Sequence, residues 1–176
     1  VLLFVLSQEE IDELFAEAKP LSRNQRMELK EPKEPPINSR IRSEVLVQSA
    51  AKRRYEIVST LCQSHPHKFS INVNYRITRR RSLFLLRLCG PNKGHINVIE
   101  RRQRTGIQRI APGECHIHYL TERYLQLALD KADGYAEPSS SLDSLESAVD
   151  YLAFAFGFYD PKERGLTSRF PLFPEA

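Results

Sequence analysis

All five histidines of this 176-residue chain, His65, His67, His95, His116 and His118, fall between positions 65 and 118. Two of them sit in Glu114-Cys115-His116-Ile117-His118-Tyr119. Strand alternation there sends Cys115, Ile117 and Tyr119 to one face and Glu114, His116 and His118 to the other. With the apolar trio packed inward, two imidazoles about 7 Å apart, twice the rise of a strand residue, line the open face beside a carboxylate. His95 and Asn97 share a face for the same reason. Imidazole suits both halves of a proton transfer near neutrality because its unperturbed pKa is about 6.5. One histidine can then take a proton from a ribose 2′-hydroxyl while another protonates the leaving oxygen, with Arg87 or a loop arginine stabilising charge on the phosphorane. This is metal-independent, ribonuclease-like chemistry, and it calls for no cofactor.

Two other uses compete for the same residues. A metal could take His116, His118 and His95 or Glu114 as three ligands and leave a fourth position to water. Against it, residues 66–129 contain no Asp and only Glu100, Glu114 and Glu122, so carboxylate ligands and partners for the imidazoles are scarce. H-x-H alone is also a weak spacing signal, and no metal is expected. The other use is none at all, since histidine often sits partly exposed on a sheet without a task. His65-Pro66-His67 has the same spacing, but its central proline assigns it to a turn, where solvated rings are the expectation. Cys62, Cys89 and Cys115 are odd in number and widely spaced, which fits buried thiols in strands better than disulfides or a C-x-x-C knuckle. No G-x-x-x-x-G-K, G-x-G-x-x-G, G-x-S-x-G or H-E-x-x-H occurs, so nucleoside triphosphatase, dinucleotide-binding, α/β-hydrolase and zincin readings lack support.

Charge singles out the same middle region. Residues 40–110 hold 16 Lys and Arg against 3 Asp and Glu, whereas residues 1–39 hold 5 against 8 and residues 111–176 hold 5 against 11. The modest net charge of +4 conceals a basic centre between acidic ends, the pattern of a surface that meets polyanions. Arg76, Arg79, Arg80 and Arg81 near one turn, and Arg101, Arg102 and Arg104 in a basic loop, are the expected nucleic-acid contacts. Tyr55, Phe69, Tyr75 and Phe84 could interleave as stacking platforms, although their alternation favours core packing.

Positioning these groups is the work of the flanking elements. Ser7-Gln8-Glu9-Glu10 is a capping box, with Leu6 and Ile11 as its hydrophobic staple and Ile11, Leu14, Phe15 and Ala18 at helical spacing, so a helix is predicted from about 8 to 18. Pro20, Pro32, Pro35 and Pro36 among polar residues predict an extended linker over 19–39. From about 42 the period drops to two, and strands are predicted near 41–48, 55–62, 68–77 and 83–89, with His95–Ile99 and Glu114–Leu120 as shorter ones. Helices follow over 121–133 and 143–156, ending at Gly134 and Gly157. The expected architecture is α+β: one domain over 40–157 with an antiparallel sheet of about five strands flanked by N- and C-terminal helices, and a tail over 158–176. No apolar run approaches the roughly 18 residues of a membrane span. Val1–Leu6 lacks the charged flank and small-residue cleavage site of a secretory signal, so no membrane partner and a cytoplasmic location are expected.

The order Leu86-Arg87-Leu88-Cys89-Gly90, then His95-Ile96-Asn97, then His116-Ile117-His118-Tyr119, resembles an uncharacterised bacterial and phage-encoded family with the pattern R-L-D-x-x-G-x-x-H-x-N-P-x-G followed by H-x-H-x-Y. The similarity covers about 42–137. Cys89 stands where the pattern has Asp and Val98 where it has Pro, and the missing Asp weakens a metal or acid–base role borrowed from the family. A fainter likeness is to small H-x-H toxins of bacterial toxin–antitoxin operons. It implies an RNA-directed toxin, RNA and a cognate antitoxin protein as partners, and Arg87, His95, Asn97, His116 and His118 as site residues. The alternative expectation is a non-catalytic nucleic-acid- or protein-binding module whose histidines are structural.

Overall fold

The computed structural model of the chain describes residues 6–33, 38–126 and 134–158. Helix α1 (Gln8–Ala16) begins where the capping box predicts, with the Ser7 hydroxyl accepting from the Glu10 amide at 3.2 Å and the Glu10 carboxylate accepting from the Ser7 amide at 2.8 Å. It buries Ile11 and Leu14. The segment predicted as an extended linker contains a helix, α2 (Arg23–Lys30). A second capping box, Ser22 with Gln25, starts it, Leu29 anchors it in the core, and Lys30 pairs with Asp150 at 2.8 Å. Prolines bracket this helix rather than interrupt it.

Strands β1 (Arg40–Gln48), β2 (Arg54–Cys62), β3 (His65–Arg76) and β4 (Ser82–Cys89) form an antiparallel meander. The chain then leaves the sheet for β5 (His95–Ile96), α3 (Val98–Gln103) and β6 (Arg109–Ile110), in which β5 and β6 pair with each other. It returns as β7 (His116–Tyr119) beside β4, passes through α4 (Glu122–Gln126), and adds β8 (Tyr135–Pro138) and α5 (Leu145–Ala155). The main sheet therefore has six strands in the order β1-β2-β3-β4-β7-β8, one more than the pattern predicts, all antiparallel to their neighbours. The fold is α+β. His95–Ile99, predicted as a strand, is a strand for two residues and then turns into α3. Of the helix predicted over 121–133, Glu122–Gln126 is helical and 127–133 lie outside the described residues, as does the tail beyond Phe158.

One sheet face carries the core. Ile57, Val73 and Leu86 lie in one cross-strand row and cluster with Ile11, Leu14 and Leu29 and with Val149 and Leu152 from the helices. A bulge in β4, where Val73 faces Leu86 but Asn74 faces Phe84, lets both Leu85 and Leu86 be buried. At the junction of α1 and α5 the Lys19 ammonium donates to the carbonyls of Phe15, Glu17 and Phe156 at 2.7–3.2 Å and lies 5.3 and 5.0 Å from the ring centres of Tyr55 and Phe158. It thus answers the carbonyl ends of two helices at once.

The two sheet edges differ. On β8 the Asn97 side chain takes the backbone of Ala136, accepting its N–H and donating to its carbonyl, both at 2.8 Å, and the next outward residue is Pro138, which has no N–H. On β1, among the described residues, the Gln25 amide donates to the Leu46 carbonyl at 3.1 Å, and Leu46 is 62% exposed. Among the described residues no helix is long and apolar enough to cross a membrane.

Candidate functional site

Sheet register assembles the site. Arg87 on β4 lies directly opposite His118 on β7, and Cys89 opposite His116, so these four residues share the sheet face that the helices α1, α2 and α5 leave uncovered. The insertion β5-α3-β6 folds back over this end of the face. Gly94 enters β5 with φ +81°, and a Cβ there would sit 2.5 Å from the Ile110 carbonyl, so only glycine allows the approach that sets His95 in place. The His95 ring then meets the His118 ring edge-on at 4.6 Å between centres, and His118 lies 4.8 Å from His116.

His95, His116 and His118 with Arg87, Lys93 and Arg109 line one cleft of about 380 Å³, and among the described residues no carboxylate stands in its wall. Its electrostatics favour an anion. His95 is partly exposed, whereas His116 and His118 are each 1% exposed. The sequence expects these two on an open face. Both faces of β7 are covered, Ile117 by the main core and the histidines by the folded-back insertion, so they form the inner wall of the cleft and His95 its accessible side.

Asn97 shares neither the cleft nor a catalytic geometry. Its amide is fully buried and spent on the carbonyls of Ile107 (2.7 Å) and Ala136 and on the Ala136 N–H, which ties the insertion to β8. Glu100 is a second tie: buried, it accepts from the Tyr124 hydroxyl at 2.6 Å and pairs with Arg123 at 3.3 Å. Burial, then the Glu100 carboxylate, push the Tyr124 phenol well above its usual range. Glu114 turns away to accept from the Ala111 amide at 2.8 Å, so it is not beside the imidazoles. In its place stands Cys89. Cys89, His116 and His118 each present a ligand atom within 4.8 Å of the other two. Nothing local in the sequence couples Cys89 to His116; only the β4–β7 register does.

The arginines predicted to bind nucleic acid are dispersed. Arg76 pairs with Glu56 at 2.7 Å and, with Arg79, lines a second cavity of about 600 Å³ together with Lys52, Arg53, Arg54 and Tyr75. Arg80 and Arg81 are exposed at the adjoining turn. Arg101, Arg102 and Arg104 are exposed on and just past α3 and line neither cavity. Tyr55 and Phe69 are core residues. His65 and His67, expected in a turn, instead open β3, where His65 pairs with Cys62 across the strands; both are exposed, and the His65 ring lies beside Cys62 and Ser64.

No protein-family model, curated protein or solved structure matches the chain.

Proposed function

We propose that the protein acts on RNA, cleaving a phosphodiester in the cleft between β5-β6 and the β4-β7 pair. The observation that supports this is the co-location of three imidazoles with Arg87, Lys93 and Arg109 in a wall without carboxylates. Cationic side chains hold the phosphate and take up charge as the phosphorane forms. His95, the partly exposed imidazole of the three, removes the 2′-hydroxyl proton. The 2′ oxygen bonds to phosphorus, the bond to the 5′ oxygen breaks, and that oxygen receives a proton from the inner wall, where His118 lies nearest to His95. The products are a 2′,3′-cyclic phosphate and a 5′-hydroxyl. An RNA-directed toxin is the setting that the H-x-H likeness implies for such an activity.

The test is cleavage of an end-labelled single-stranded RNA by the tag-free chain, with a 2′-deoxy copy as control. His95→Ala and His118→Ala should each slow cleavage by roughly 100-fold or more while keeping the circular dichroism of the parent. Cleavage undiminished in both variants, or equal cleavage of the deoxy copy, removes this reading. The second cavity favours another: with five cationic residues around Tyr75 it fits a module that binds nucleic acid without cutting it. Binding that persists with no cleavage under any condition selects that module.

A further inference from the structure

We infer that Cys89, His116 and His118 form a binding site for a transition-metal ion of the zinc class on the inner wall of the cleft. One donor atom from each residue lies within 4.8 Å of the other two, and all three residues are buried. A tetrahedral zinc with these ligands needs its donors about 3.3–3.6 Å apart, so side-chain shifts of about an ångström close the site. The scaffold is rigid enough to hold it. Cys89 and His116 are directly opposed residues on two central strands, and His118 follows on the same face of β7.

The donor chemistry selects the metal. One thiolate and two imidazoles suit zinc or cobalt, whereas magnesium and calcium require oxygen ligands. His116 is already oriented for the task. Its Nδ1 lies 2.9 Å from the Glu114 carbonyl, which can only accept, so Nδ1 carries the proton and Nε2 the lone pair that a metal needs. The scarcity of carboxylates that argues against a metal in the sequence is met by Cys89, whose thiolate supplies the negative charge.

His95 stands outside the triad but beside it, with its ring 4.6 Å from that of His118. Among the described residues three protein ligands leave a fourth position open, and two of the three, His116 and His118, line the cleft together with Arg87 and Arg109. This is the arrangement of a zinc that binds water or an anion rather than one that only staples a fold. The inference goes beyond the RNA reading and stands on the donor geometry alone. With His118 holding an ion, the metal would supply Lewis-acid chemistry at the cleft wall, and His95, outside the triad, would keep its role as the base.

The test uses the full, tag-free chain stripped with chelator and titrated with Zn²⁺ or Co²⁺. One ion per chain by elemental analysis is expected, together with a near-ultraviolet thiolate-to-cobalt charge-transfer band. Cys89→Ser and His118→Gln should weaken Zn²⁺ binding by roughly 100-fold or more, since a lost ligand costs at least what a lost outer partner does. Cys89→Ser should also abolish the band, while Cys62→Ser and Cys115→Ser leave both readouts intact. Should a triad variant not fold, the cobalt band in the parent and in the Cys62→Ser and Cys115→Ser proteins decides alone. No zinc held at micromolar concentration, no thiolate band, or a site lost with Cys62→Ser at the exposed start of β3 instead, overturns the inference. RNA binding and cleavage are scored separately: a chain that takes zinc but ignores RNA upholds the metal site and removes only the proposed function.

Discussion

Buried at the junction of α1 and α5, Lys19 shows how one residue links folding to pH. Burial lowers its ammonium from an ordinary pKa of 10.5 to about 8, against a smaller opposing pull from the Glu17 carboxylate. Below pH 8 the folded and unfolded chains both hold this proton, and stability does not depend on it. Between pH 8 and 10.5 the unfolded chain keeps a proton that the folded chain has released, so this residue makes stability rise with pH, by up to about 3 kcal/mol. Urea unfolding at pH 7.5 and 9.5 should show that rise in the parent and lose it in Lys19→Met. An equal pH response in both proteins would remove Lys19 as its source. Asn97 teaches the opposite lesson about reading residues singly. The H-x-H toxin likeness implies it as a site residue, yet its amide completes a sheet edge, and only the long-range approach of β8 reveals that.

At the level of elements, the β5-α3-β6 insertion decides whether there is a site at all. Gly94→Ala puts a Cβ 2.5 Å from the Ile110 carbonyl at a φ of +81°, where a side chain is strained. The expected cost is about 1–3 kcal/mol, concentrated in the insertion. Hydrogen exchange should quicken at the Asn97 amide, which donates to the Gln108 carbonyl at 3.1 Å, with β2 and β3 unchanged; uniform loss of protection would show instead that the insertion is integral to the sheet. The strands β1 to β4 were legible because each runs for eight residues or more, long enough for alternation or, in β4, an apolar stretch broken only by Arg87 to register. The insertion was not, because β5 and β6 have two residues each and α3 has six, too few for any period to register. Strand β8 escaped for the same reason. Helix α2 carries a readable start in Ser22-x-x-Gln25 that the reading of 19–39 from its prolines passes over. Alternation correctly put His116 and His118 on one face with Arg87 nearby. The register that adds Cys89, and the covering of that face, depend on residues more than twenty positions apart.

Across the whole molecule the charge is layered. Helix α1 presents Glu9, Glu10, Asp12 and Glu13, and α5 presents Glu146 and Asp150, while the basic residues of 40–110 occupy the strands, their turns and the insertion. A polyanion is therefore steered toward the sheet and away from α1 and α5. Two cationic cavities compete to receive it, and salt distinguishes them. If RNA lies in the His95 cleft, Arg109→Gln should reduce the slope of log K against log salt by about one, whereas Arg79→Gln should leave it unchanged. The reverse outcome places the strand at the β3–β4 turn and separates binding from the histidines. A slope near zero for the parent would rule out phosphate contacts in either place.

The unequal edges of the sheet limit how copies of this chain can meet. Templated growth of β-structure requires two receptive borders, one to join and one to be joined. Here the outward backbone at Ala136 is occupied by a side chain of the same molecule and its neighbour is a proline, so no further strand can be laid against that side. Among the described residues, edge-to-edge association of the main sheet is left to the opposite border on both participants. For the described strands of the main sheet, such contact is self-complementary and closes after a single pairing, as a twofold dimer.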